Sequence, residues 1–277
     1  LKKEYQHIGL VFFGFMGLLW LGKPLREYFD LYSDNNIQNQ LLAGVIVRTV
    51  LLIILLVLVK RFNLLQFNGL NKPFSVQNPQ ALILSVGILS AGAFSNWDIY
   101  VHADTLLFVL FTLSALLVGL VEEISFRGIL FPMLIRAHAN SRYVLYTSAV
   151  LAALIFGIVH FINLFREPDN IWGVTRQVLF ALCIGVFFSG LLLRTGNIIV
   201  TSLVHGFVNF ALGPGELKKE IATQTVEQVE KSPDWSSIIP TTLMFLFVLA
   251  GGLFMIGRVN KEDVEAKLGH SSQAGLP

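Results

Sequence analysis

Apolar residues run along this chain in long blocks separated by short polar breaks, rather than alternating with polar ones or forming a single helical stripe. Blocks of this kind predict membrane-crossing helices, because roughly 20 residues span the hydrocarbon core and roughly 17 suffice. Eight such blocks are found: Ile8 to Leu21, Leu41 to Val59, Ala81 to Phe94, Thr105 to Arg136, Tyr143 to Phe165, Val174 to Leu193, Asn197 to Leu212 and Ile238 to Ile256. The first follows Lys2 and Lys3 as a signal peptide would, but no small-residue cleavage site precedes the Lys23-Pro24 break, so it is kept as a span. The predicted fold class is all-α: a polytopic membrane protein of about eight transmembrane helices enclosing a polar site. Five regions follow: an N-terminal three-span unit (1–104), a four-span core (105–212), a polar surface segment (213–237), the last span (238–257) and a soluble tail (258–277).

The fourth block organises the rest. As one straight helix it would run about 48 Å, against about 30 Å of hydrocarbon, so it must be long, tilted or broken. Pro132 is the residue expected to end or kink it. Near its middle lies Val121-Glu-Glu-Ile-Ser-Phe-Arg-Gly128, and ionisable groups at that depth are costly enough to mark a functional site. Glu123 and Arg127 are i and i+4, the spacing at which helical side chains meet. Glu122 points about 100° away and has no charged partner at helical spacing, so its partner must come from another helix.

Composition sharpens this picture. Only 14% of the 277 residues are charged, where a soluble domain carries about 25%, and the mean hydropathy is +0.67. The net charge of +2 is scattered and gives no footprint for nucleic acid. The single cysteine, Cys183, allows neither an intrachain disulfide nor a cysteine metal site. Lys and Arg are more numerous on the side that carries the two termini, including Lys3, Lys60, Arg61, Arg136, Arg142 and Arg194, which predicts cytoplasmic termini. Arg48, inside the second block, either snorkels or faces the bundle interior.

Depth then brings the polar residues together. Measured from the turn at 137–142, Glu122 lies about 21 Å along its helix and His160 about 27 Å along the next. From the turn at 195, His205 and Asn209 lie about 15 and 21 Å along theirs, on one helix face. A carboxylate and an imidazole converging on a water can activate it for attack on a carbonyl, and a second imidazole with an amide can hold the oxyanion that forms. No serine or cysteine nucleophile is needed; Ser125 lies one turn from Glu122 without any sign of activation. A different arrangement of the same residues, Glu122, His160 and His205 around Zn²⁺ with a water in the fourth position, is the alternative, although the usual His-Glu-x-x-His helix is absent.

Three motifs in chain order carry a family likeness: Glu-Glu-x-x-x-Arg at 122–127, Phe156-x-x-x-His160 and His205-x-x-x-Asn209, flanked by Phe126-Arg-Gly-Ile-Leu and Leu193-Arg-Thr-Gly-Asn. Over about residues 105–212 the chain resembles the CAAX protease and bacteriocin-processing (Abi) family of intramembrane endopeptidases. That resemblance implies Glu122 and His160 as the water-activating pair, and His205 and Asn209 as the oxyanion hole. Glu123, Arg127 and Phe156 would support the site, and no cofactor would be required. It further implies a peptide or membrane-protein substrate, acted on in peptide maturation or bacteriocin self-immunity. With no organelle-targeting segment recognisable, the expected location is a prokaryotic cell membrane. A non-catalytic immunity or scaffold protein using the same cavity is the reading outside enzymology, and a transporter fits less well because the spans show no inverted repeat.

Overall fold

The computed structural model describes residues 3–165, 168–215, 217 and 235–269. Much of the segment 213–237 and the end of the tail therefore lie outside the described residues. Helix α1 (Lys3–Trp20) is followed at once by α2 (Gly22–Phe29). The helix breaks at Leu21, just ahead of Lys23-Pro24; Pro24 itself falls in the first turn of α2, where its missing N–H costs nothing, and Lys3–Phe29 together form one candidate span of 27 residues. The second span is α3 (Asn36–Arg61), started by the Asn35 side chain accepting from the Gln38 N–H. A loop containing the buried Leu64, Phe67 and Asn68 leads to α4 (Ile83–Ser95) and the short α5 (Trp97–His102).

The long fourth block runs as one helical stretch of 33 residues, and its winding changes upstream of the proline. Helix α6 (Thr105–Glu123), capped by Asp104 on the N–H groups of Leu106 and Leu107, passes into a π-helical segment, Ile124–Leu130, and then into α7 (Phe131–Ala137). Pro132 therefore sits in the first turn of α7. It has no N–H for the carbonyl of Gly128, four residues earlier, and the buried Asn68 supplies one instead, its Nδ2 donating to Gly128 O at 2.9 Å. A side chain from the α3–α4 loop thus closes a helix gap made by proline.

The remaining helices are α8 (Val144–Val159), α9 (Ile171–Thr195), α10 (Ile198–Leu212), α11 (Trp235–Gly257) and α12 (Lys261–Lys267), with a 3₁₀ segment His160–Phe165 after α8. There is no strand among the described residues. Among the described residues six helical stretches are long and apolar enough to cross a membrane, and Pro79–Ser95 and Ile198–Leu212 are shorter apolar helices. The chain is a polytopic all-α membrane protein. Helix α9 is its centre, mostly buried along its length, and it packs on α8, α10 and α11.

Polar contacts collect the helix ends into two faces. On one, Arg136 donates to the carbonyls of Phe62, Asn63 and Leu268, Lys261 donates to Ala139 O, and Arg194 donates to Arg258 O. On the other, Asn96 donates to Ala211 O and Tyr100 donates to Phe210 O at 2.6 Å. Residues after Arg258, expected as a soluble tail, include α12, whose Val264 joins the main core. Arg48 faces inward and donates to Ser114 Oγ on α6 at 2.9 Å.

Candidate active site

Glu122 and Glu123 are the last residues but one and the last of α6, and Arg127 lies one turn on in the π segment. Glu123 and Arg127 are wholly buried, and Arg127 Nη1 donates to Glu123 Oε1 at 2.8 Å. In hydrocarbon an uncompensated charge is costly, and the pair offsets that cost in part, while Glu123 Oε2 and Arg127 Nε and Nη2 stay buried without a hydrogen-bond partner. The same carboxylate oxygen receives a second donor, His205 Nδ1 of α10, at 2.7 Å. With Nδ1 donating to Glu123, His205 turns Nε2 towards Glu122, 3.6 Å from its Oε2. That distance is an ion-pair contact, longer than a hydrogen bond. Glu122 is the open member of the group, its side chain 24% exposed against 6% for His205 and none for Glu123.

The approach of α10 to α6 depends on two glycines. A Cβ at Gly119 would strike the backbone nitrogen of Gly206 and stand 2.5 Å from the carbonyl of Ser202. A Cβ at Gly206 would meet Leu116 Cα at 2.8 Å. Small residues allow such backbone contact between membrane helices. Here the contact lies one turn before Glu123 and next to His205, so it fixes the Glu123–His205 distance. Gly119→Ala is therefore expected to cost about 1–3 kcal/mol, as overpacking does, and to lower activity with it. Thermal melting and peptide cleavage would check this, and a variant unchanged in both would remove the glycine contact from the account of the site.

His160 lies where α8 gives way to the 3₁₀ segment, half-buried, with Nδ1 donating to Phe156 O at 2.8 Å. That bond fixes the neutral tautomer with its lone pair on Nε2, the form needed to take a proton. His160 joins the glutamate cluster through Phe156: the Phe156 ring stands edge-on to His160 (centroids 4.8 Å apart) and to His205 (5.9 Å), and carries the Arg127 guanidinium 4.4 Å from its centroid. Asn209, one turn beyond His205, is half-buried; among the described residues no hydrogen bond ties its side chain to the cluster. The structure thus brings Glu122, Glu123, Arg127, His205 and Phe156 into one contact group, holds His160 at its edge, and leaves Asn209 adjacent along α10.

Two residues were not singled out by the sequence. Phe188 of α9 stacks on His205 with centroids 4.8 Å apart and lies 5.6 Å from the Arg127 guanidinium carbon. Gly185, one turn earlier, leaves room for Arg127: a Cβ there would stand 2.8 Å from Nη2. Neither carries a signal in a chain with 23 phenylalanines and 23 glycines. Among the described residues no three His, Cys, Asp or Glu side chains are grouped so as to hold a metal ion. Ser125 donates to Val121 O in its own helix, a packing role.

Residues 104–211 match the family model described as Rce1-like, type II CAAX prenyl endopeptidase. The matched stretch runs from the N-cap of α6 to the end of α10 and contains every member of the contact group. No curated protein and no solved structure is matched.

Proposed function

We propose that this chain, whose residues 104–211 carry the signature of the CAAX protease family, is an intramembrane endopeptidase that hydrolyses a peptide bond with a water activated by Glu122 and His160. The observation that carries the reading is the contact group itself. A partly open carboxylate stands beside an imidazole whose other nitrogen is tied to a wholly buried carboxylate–guanidinium pair. His160 Nε2 takes the proton of the water as it attacks, the Glu122 carboxylate orients that water and stabilises the positive charge that develops on the imidazole, and the imidazolium returns the proton to the leaving amine as the C–N bond breaks. His205, protonated on both nitrogens between the two carboxylates and held through Nδ1 by Glu123, donates from Nε2 to the oxyanion, and Asn209 on the same face of α10 adds its amide. Glu123 and Arg127 set the orientation of His205 and keep the site close to neutral in hydrocarbon.

The substrate is a peptide or the end of a membrane-bound protein, lying within the bilayer at the depth of α6. The excess of basic residues on the face shared by Lys3, Arg61, Arg136 and Arg194 supports cytoplasmic termini, and a prokaryotic plasma membrane with a role in peptide maturation or bacteriocin self-immunity suits that orientation.

The deciding experiment is cleavage of a peptide library, with prenylated and unprenylated CAAX-ended members, by protein purified in detergent with and without a strong chelator. Cleavage that survives chelation, is lost in His160→Ala and slows about 10²-fold in Asn209→Ala, as loss of an oxyanion donor does, is the expected result. Cleavage abolished by chelator would transfer the mechanism to a metal. A folded protein that cleaves nothing and retains a peptide intact would make the site a binding cavity.

A further inference from the structure

Away from the active site, the ends of α1, α3 and α7 frame an open cleft of about 520 Å³. That volume lies in the range of small-molecule sites, about 300–1,000 Å³. Lys3, His7, Arg61 and Arg136 line it, opposed by a single carboxylate, Glu4. Its lining also has an apolar part that includes Leu10 and Leu58, and Leu10 is 65% exposed. The cleft opens where three apolar helices leave the membrane: the start of Lys3–Phe29, the end of Asn36–Arg61 and the end of Thr105–Ala137. Arg136 is fixed in place by the carbonyls of Phe62, Asn63 and Leu268, while Lys3 and Arg61 are exposed.

We infer that this cleft is a binding site for an anionic phospholipid, with the phosphate headgroup among Lys3, Arg61 and Arg136 and an acyl chain along Leu10 and Leu58. Basic pockets between transmembrane helices at the membrane surface recognise phosphate headgroups, and an apolar wall continuous with the headgroup pocket suits a lipid better than a free anion. The three permanent cations exceed Glu4 by two charges, an excess that attracts an anionic headgroup; a phosphate diester neutralises one of them and a monoester both. None of these residues belongs to the catalytic group, so the site acts independently of the reaction proposed above.

Native mass spectrometry of the intact protein in neutral detergent, titrated with phosphatidylglycerol or phosphatidylcholine, tests the assignment. One phosphatidylglycerol is expected to bind in preference to phosphatidylcholine. The double variant Lys3→Gln/Arg61→Gln should bind it about 25-fold more weakly, about fivefold per lost charge, since a basic residue near an anionic surface is worth about 1 kcal/mol. Lys60→Gln removes a neighbouring exposed charge outside the cleft and should leave binding unchanged. Equal binding of the two lipids, or an equal loss in Lys60→Gln, would overturn the site. Complete displacement of the lipid by millimolar inorganic phosphate would overturn the lipid as occupant and leave a free-phosphate site. Melting of the double variant at the wild-type temperature in phosphatidylcholine shows that the comparison is made on folded protein.

Discussion

Glu122→Gln is expected to reduce peptide cleavage by about 10²–10⁴-fold, the contribution of a positioned acid–base group, while leaving folded yield and melting temperature unchanged. The reason is the unequal position of two adjacent carboxylates. Glu122 is partly open and touches His205 Nε2 only at 3.6 Å, so an amide of the same shape is accommodated and solvated. Glu123 is wholly buried, and its Oε1 receives both Arg127 and His205. Glu123→Gln strands the guanidinium and should lower stability as well as activity, so the two variants separate chemistry from support. Full activity in Glu122→Gln would leave His160 as the sole water-activating group. Loss of folding in that variant would reassign Glu122 to structure.

Arg127→Ala is expected to destabilise the protein by about 3–5 kcal/mol, the cost of leaving one buried ion without its partner, and to sharply reduce the yield of folded protein. Domains have about 5–15 kcal/mol in all, so much of the population would be lost. Packing adds to the electrostatic loss. The guanidinium lies against Phe156 and near Phe188, and Gly185 has no side chain to fill the space that alanine leaves. Removing both charges, in Arg127→Met with Glu123→Gln, should recover yield because apolar isosteres of a buried pair are often tolerated, while activity stays low because His205 loses its anchor. Normal yield and full activity in Arg127→Ala would dismiss the supporting pair.

The apolar blocks were legible because lipid demands long uninterrupted runs, and α3, α6, α9 and the last span follow them closely. The Glu123–Arg127 contact was legible for a local reason, since i and i+4 on a helix are neighbours whatever surrounds them. The π segment was not. The sequence marks Pro132, but the turn that widens lies upstream at 124–130, and the carbonyl that proline leaves open is satisfied by Asn68, some sixty residues away in the chain. The anchoring of His205 by Glu123 was also hidden, because it depends on how closely α6 and α10 approach. That distance is set by Gly119 and Gly206, and a glycine reads the same in sequence whether it faces lipid, a loop or another glycine. Equal depth brought the residues to one layer of the membrane; it did not say which imidazole would reach which carboxylate.

The Phe156 ring borders His160, His205 and Arg127 at once. In spectroscopic terms the site has a single built-in antenna. A fluorine on that ring would register, in one resonance, a change at His160, a change in the bond between His205 and Glu123, and any displacement of the arginine. The groups proposed to act on the peptide and those proposed to hold them in place could thus be followed together from one position.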